Sequence, residues 1–437
     1  MARTLLDCPK PPALEVNEKA ARDAHHPNTL TKRYTVDAIT PIFGGGVKPA
    51  VNDPVTLIRP SSIRGHLRFW WRATRGAQCA SVKDLRRREG EIWGTTEKPS
   101  SVSVNVALDK RKPGRPEACA VFPPNANLSE FKSDYPGYAL FPFQGNCKKN
   151  KPIGMCTRDV RFRLTVRYPA SEEKEVEAAL WAWVNFGGIG ARTRRGCGTL
   201  YCPDFAPAAA DRIDSWLSAA RARYDLAAAP KQLPWPTLGP APLIHPVSST
   251  PMDAWKTAVA VMQKFRQGPG VGRNGTRGRS RWPEADSLRA LTGRGDPIHQ
   301  ESITIKDPEH KPAFPRAKLG LPIIFHFKDE PGLDKEIELS PKNATRMASP
   351  LILRPLGFGD GSRAVPMVLR LMALGPAGLR LENAGVSPAL TAENISREDM
   401  ATYDGSPMRN RSRRGSALEA FLRFAKEDEQ GFKEVKP

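Results

Sequence analysis

Four arginines recur at steps of four, four and three in "SSIRGHLRFWWRATR": Arg64, Arg68, Arg72 and Arg75. On a helix such steps line one edge, and His66 lies beside it. Guanidinium groups in a row are suited to phosphate oxygens, because each is planar, permanently charged and rich in donors. A second cluster, "GGIGARTRRGCGTL" at 187–200, sets five glycines around Arg192, Arg194 and Arg195. Glycine admits positive φ and close backbone approach, so a basic loop of this kind fits a sugar–phosphate chain. It is neither a Walker A loop nor a GxGxxG turn. The plainer readings are a solvated charged helix face and a helix C-cap followed by a turn.

Catalytic chemistry is thinly represented. HExxH and GxSxG are absent, as are paired metal-ligand histidines. His66, Asp37 or Asp53 offers a general base for RNA cleavage. The positive charge around His66 depresses its pKa, which does not equip it as an acid. Seven cysteines are scattered without a CxxC pair. Cys147 with Cys156, and Cys197 with Cys202, build a zinc site only if the fold brings them together. No cofactor is implied.

The elements that must carry these residues follow from pattern. "RYTVDAIT" at 33–40 reads as a strand. A glycine- and proline-punctuated loop containing Lys48 leads to a helix over 61–75, with a serine available as N-cap. Ile63, Leu67, Trp70, Trp71 and Thr74 form its apolar edge. Surface helices usually intersperse acids among their cations, but none occurs between Asp53 and Asp84. The arginine edge is therefore expected to be unpaired until a phosphate meets it. "SVSVNVAL" at 101–108 is a strand, and 109–157 an insertion. "DVRFRLTVRY" at 159–168 alternates Val160, Phe162, Leu164 and Val166 with Arg161, Arg163, Thr165 and Arg167, so one face is buried and the other basic. A helix over 171–188 with a serine N-cap and a short strand "GTLYC" complete a β–α–β–β–α–β order, that of a ferredoxin-like, RRM-like domain.

From about 206 the pattern is less legible. Helices are expected near 211–226, 251–267 and 416–426, and strands at 321–327 and 365–373. A basic glycine–arginine loop lies at 268–281. Trp282 beside it is either a base-stacking platform or a plug that docks the loop.

The 437 residues, with 67 Lys+Arg against 46 Asp+Glu, carry a net charge of +21. A field of that sign draws polyanions, nucleic acid before membrane. No run approaches the roughly 20 apolar residues of a membrane helix. The N-terminal residues carry acids and prolines and do not read as a signal peptide, so a cytoplasmic protein with reduced thiols is expected.

"ITPIFGGG", "SSIRGHLRFWWRA", "GGIGARTRRGCGTL", "RWPEADSLR", "FPRAKLGLPIIFHF" and "ASPLILRPL" together resemble the RAMP superfamily of CRISPR-associated proteins. They are most similar to the first subunit of the Cmr-type (type III-B) effector complex. The resemblance spans about 33–375. It implies an α+β chain of two ferredoxin-like domains with insertions. The domains are 33–205, interrupted at about 109–157, and 206–437, after a leader at 1–32. It further implies a non-catalytic RNA-binding subunit near the guide RNA 3′ region, with guide RNA, target RNA and other Cmr/RAMP subunits as partners and no membrane. The candidate RNA contacts are then Lys48, Arg64, His66, Arg68, Arg72, Gly188, Gly190, Arg192, Arg194 and Arg195, with Arg316 and Arg354 as weaker ones. Some RAMP proteins cut RNA, so an endoribonuclease acting on guide precursor or target is the alternative.

Overall fold

The computed structural model describes residues 28–46, 51–53, 55–226, 233–268, 280–294, 311–327, 332–333, 335–401, 406–412 and 414–436. The fold is α+β with several antiparallel sheets. The first sheet is built from β1 (Thr29–Ala38), β2 (Ser103–Ala118), β3 (Met155–Pro169) and β4 (Leu200–Tyr201). Its order is β4–β1–β3–β2, every pair antiparallel, with a two-residue strand Ile42–Phe43 also on β3. Helices α1 (Pro60–Ala73), α2 (Val82–Trp93) and α3 (Glu173–Phe186) belong to the same half. Alternation in β3 behaves as expected: Val160, Phe162, Leu164 and Val166 are buried, while Arg163 and Arg167 are exposed. The insertion is shorter than the sequence indicates, because β2 continues through a bulge to Ala118 and stays paired with β3.

Neither serine cap forms as expected. Pro60 is the first residue of α1, and extended Arg59 caps it without a side-chain bond. Proline suits that position because its missing N–H has no intrahelical partner there. A single 3₁₀ turn, Ala170–Glu172, precedes α3, so Glu172 rather than Ser171 stands at its cap.

After α4 (Ile213–Arg223) the second half repeats the connectivity. β5 (Leu243–Ile244), α5 (Pro251–Gln267), β8 (Leu351–Phe358), β9 (Arg363–Met372), α7 (Ala417–Ala425) and β12 (Lys433–Glu434) run in chain order. Their sheet order is β12–β5–β9–β8, which in strand rank is the order of the first sheet. Between α5 and β8 come α6 (Glu284–Thr292), β6 (Ile323–Phe325) and β7 (Ile337–Pro341). β10 (Gly378–Glu382) and β11 (Leu390–Thr391) follow β9, and the four short strands form a separate antiparallel sheet. Two excursions from the second unit therefore meet in space, and this hid its pattern in the sequence.

The second sheet is covered on both faces. Ile352, Leu356, Val365, Met367, Leu369 and Leu371 join the core around α1 and α3. Leu351, Leu353 and Val368 pack with Val261, Met262 and Phe265 of α5 and Phe421 of α7. Burial on both sides replaces alternation by a continuous apolar run, as in "LILRPL". No helix among the described residues is long and apolar enough to cross a membrane.

Candidate nucleic-acid interface

The arginine edge of α1 is paired, contrary to the expectation from local sequence. Arg68 Nε and Arg72 Nη1 each lie 2.7 Å from Glu89 Oε1 of α2, a carboxylate only 7% exposed. Arg75 binds Glu175 of α3 at 3.0 Å and Asp225 at 3.1 Å. Acids absent from the neighbouring sequence arrive by tertiary packing. Arg68 and Arg72 thus fasten α1 to α2. Arg64 is exposed and makes no hydrogen bond or ion pair among the described residues. His66 stacks on Trp183, with ring centroids 6.2 Å apart and an interplanar angle of 12°. Burial holds its pKa below the usual imidazole value. Lys48 lies outside the described residues.

The glycine-rich loop is wedged between the two halves. Gly190 has φ of +84°, and a Cβ there would sit 2.6 Å from the Phe43 carbonyl oxygen. A Cβ on Gly188 would sit 2.9 Å from that of Gly198. These glycines answer close approach of the chain to itself. Arg192 donates to the Ala139 carbonyl, Arg194 to that of Ser349 and Arg195 to that of Leu351 at 3.1 Å. The indole N–H of Trp255 in turn donates to the Arg195 carbonyl at 2.5 Å. Arg354 is wholly buried. Its guanidinium donates to the carbonyls of Gly187, Val184, Leu200 and Pro355. It is a strut inside the protein and no phosphate reaches it, which corrects its reading as an RNA contact.

Three of the expected residues do converge. Arg192, Arg195 and Arg316 line a cleft of about 810 Å³ together with Arg266, Tyr138 and Phe141. Arg266 Nη1 lies 3.1 Å from the Tyr138 hydroxyl oxygen. Arg192 sits over the exposed Phe141 ring at 5.1 Å. Arg316 is held between the rings of Trp282 and Phe325, at 5.7 and 5.3 Å, with its Nε 3.2 Å from Glu284 Oε1. Glu284 has no exposed side-chain surface, and its Oε1 also accepts from the Arg316 backbone N–H at 2.8 Å. Burial brings the Arg195 guanidinium down to about 10, and Arg192, Arg266 and Arg194 push it further the same way. Burial likewise lowers Arg316, where Glu284 opposes the shift and Arg266 adds to it. Cations crowded in this way favour an anionic occupant.

"RWPEADSLR" is therefore the cradle of Arg316. Trp282 is 2% exposed and its indole N–H donates to the Arg266 carbonyl at 2.9 Å, so it is a plug and no base platform. Sequence reasoning missed Arg266, Tyr138 and Phe141. The last two fall in the stretch set aside as an insertion, and only an aromatic pair beside "FQG" hinted at them. Among the described residues no group of three or more His, Cys, Asp or Glu side chains is placed to hold a metal ion.

Residues 35–201 match the family model of the RAMP superfamily. That stretch is similar to the RAMP superfamily. The RAMP match runs from β1 to β4, including α1 and the glycine-rich loop, and ends before Arg266 and Arg316. The chain resembles the CRISPR system Cmr subunit Cmr1-2 of Pyrococcus furiosus, with 28% identity over 177 residues, 38% of this chain and 92% of that one. It is 30% identical to subunit Cmr1-1 of the same organism over 145 residues, 33% of this chain and 40% of that one. Among solved structures, the apo form of Cmr1 from Pyrococcus furiosus superposes with a TM-score of 0.45 and 16% identity, covering 82% of this chain and 94% of that one. A chain of the type III-B Cmr-beta bound to cognate target RNA gives 0.45 and 14%, covering 84% and 97%.

Proposed function

We propose that this chain is a RAMP superfamily protein and a non-catalytic RNA-binding subunit of a type III-B, Cmr-type CRISPR effector. Both halves are ferredoxin-like units, and the chain caps the assembly near the guide RNA 3′ region and helps capture target RNA. The observation that carries the reading is the arginine cleft. Four guanidinium groups line it, with amides from Gln144, Gln263 and Gln267 and the rings of Tyr138 and Phe141. That lining offers cations to phosphates and aromatic faces to bases. Its titratable side chains are arginines and one tyrosine, a set that binds RNA without a ready general base for cutting it. The relatives named as Cmr subunits supply the complex, and the partners are then guide RNA, target RNA and sibling RAMP subunits.

Sequencing of RNA that co-purifies with the full chain tests this directly. Guide-derived sequence is expected when the guide is co-expressed. Random cellular RNA, or none, removes the assignment. Incubation with labelled guide precursor and target, with and without magnesium, is expected to leave both intact. Cleavage lost in His66→Ala establishes the endoribonuclease reading instead.

A further inference from the structure

The two sheets differ in one respect that the cleft does not use. The second is covered on both faces, whereas among the described residues nothing covers one face of the first. Cross-strand register places on that face Thr35, Arg163 and Ala107 in one row. Arg33, Thr165 and Asn105 form the next, and Thr31, Arg167 and Ser103 the third. Arg33, Thr35, Arg163, Arg167, Asn105 and Ser103 are all exposed. Arg161 and Asp37 close one end of the face as an ion pair at 2.7 Å. Asp37 is thereby spent, and these three rows contain no other acid. Among the described residues, Arg33 and Arg163 form no hydrogen bond or ion pair.

We propose that this open face is a second RNA-binding surface, which takes single-stranded RNA by its backbone without reading its bases. Arg163, Arg33 and Arg167 stand in successive rows about 6.6 Å apart along the strands, so the cations repeat at a regular step. Threonine, serine and asparagine side chains lie between them as hydrogen-bond partners for phosphate and sugar oxygens. The aromatic residues of these strands, Tyr34, Phe162 and Tyr168, are buried on the opposite face. A sheet that read bases would present such rings outward. A protein-docking face would present an apolar centre, and here the rows offer only Ala107. Charge and hydroxyl pattern together fit a polyanion strand. The inference rests on the reading of the chain as an RNA-binding protein and adds a surface separate from the cleft.

The test uses the full chain, the face variant Arg33→Ser with Arg163→Ser, and the cleft variant Arg266→Ala. Each is titrated with oligouridylates of about 6 and about 30 nucleotides at several salt concentrations. The cleft variant is expected to weaken binding of both lengths. The face variant is expected to bind the short oligomer as wild type does. On the long one its salt slope falls by about 1.4, from two lost contacts at about 0.7 each. An unchanged slope on the long oligomer, while the cleft variant still weakens binding, overturns the second surface and leaves the proposed function standing. Unchanged RNA binding with lost co-purification of sibling subunits also overturns it and makes the face a protein contact. Absence of binding by the wild-type chain at either length removes the proposed function itself, and the face with it. Both substituted arginines point into solvent, so melting temperatures are expected to match and to exclude misfolding as the cause.

Discussion

Arg354 reaches from the second half of the chain to the carbonyl of Gly187, at the C-terminal end of α3 in the first. The same guanidinium takes the Val184 and Leu200 carbonyls at 3.0 Å each. Three carbonyls left over by a helix end and a strand end are thus satisfied by one side chain from the other unit. Burial draws the guanidinium down to about 9, which leaves it charged at neutral pH. Beside it, Arg194 and Arg195 reach in the opposite direction to the Ser349 and Leu351 carbonyls. The glycine-rich loop is thus a joint between the halves, and only its Arg192 and Arg195 also face the cleft.

Arg354→Leu removes every donor and leaves an apolar side chain in their place. Several buried carbonyls lose their partner at about 1–3 kcal/mol each, moderated by relaxation. A loss of about 3 kcal/mol or more is expected in chemical denaturation. A variant as stable as wild type shows that the strut contributes nothing.

Arg68→Ala with Arg72→Ala strands Glu89, which is 7% exposed and has both arginines as its partners. Removing the partners of a nearly buried charge costs about 3 kcal/mol, less here because both arginines are one-third exposed. A fall in melting temperature is therefore expected, and Glu89→Gln added to the pair should recover most of it. Equal instability of the double and triple variants contradicts the assignment.

Pattern was legible wherever a sheet had one wet face. β1, β3, α1 and α3 follow from alternation or from a 3.6-residue apolar edge, and the structure places them within a few residues. Legibility failed where tertiary contacts decide. Glu89 and Glu175 are distant in sequence from the arginines they bind, so the edge of α1 read as unpaired. Arg354 sits in an apolar run and has the charge of a surface residue, yet its neighbours bury it. Arg316 was found by motif and Arg266 was not, because only the fold brings α5 opposite the glycine-rich loop. The second unit was obscured by a sheet whose strands come from two separate excursions.

His66 gives a pH dependence with a definite sign. Burial against Trp183 lowers its folded pKa below the ordinary 6.5, so the unfolded chain binds the proton first. Its contribution to stability is complete above pH 6.5 and is lost as pH falls toward the folded value. His66→Gln is expected to flatten the stability profile just below pH 6.5 while leaving the steeper carboxylate region in place. Superimposable profiles for the two proteins refute the burial.

Gly198 has φ of +57°, and a Cβ would sit 2.0 Å from the Ile189 carbonyl oxygen. Gly198→Ala must therefore move the backbone of the joint. Strain alone is worth about 1–3 kcal/mol, and the clash adds to it. Loss of soluble folded protein is expected, against little effect for Gly65→Ala in α1, where a Cβ meets nothing within 4 Å. Similar melting temperatures for the two variants count against the wedge.

Arg266 and Arg316 line one cleft but differ in how they are held, and lysine distinguishes them. Among the described residues the Arg266 guanidinium makes a single hydrogen bond, to the Tyr138 hydroxyl, and projects its charge from α5. Arg316 lies between two rings and against Glu284, where a planar cation fits and an ammonium does not. Arg316→Lys should keep the salt dependence of RNA binding, because the charge survives, yet lower stability by about 1–2 kcal/mol as both ring contacts weaken. Arg266→Ala should do the reverse, leaving the melting temperature alone and reducing the slope of log K against log salt by about 0.7. Arg266→Lys then restores the slope, since a phosphate contact asks only for positive charge at that reach. Salt titrations with thermal melts on the three variants decide the matter. If Arg266→Ala binds RNA with the wild-type slope, the cleft is not where the phosphates sit.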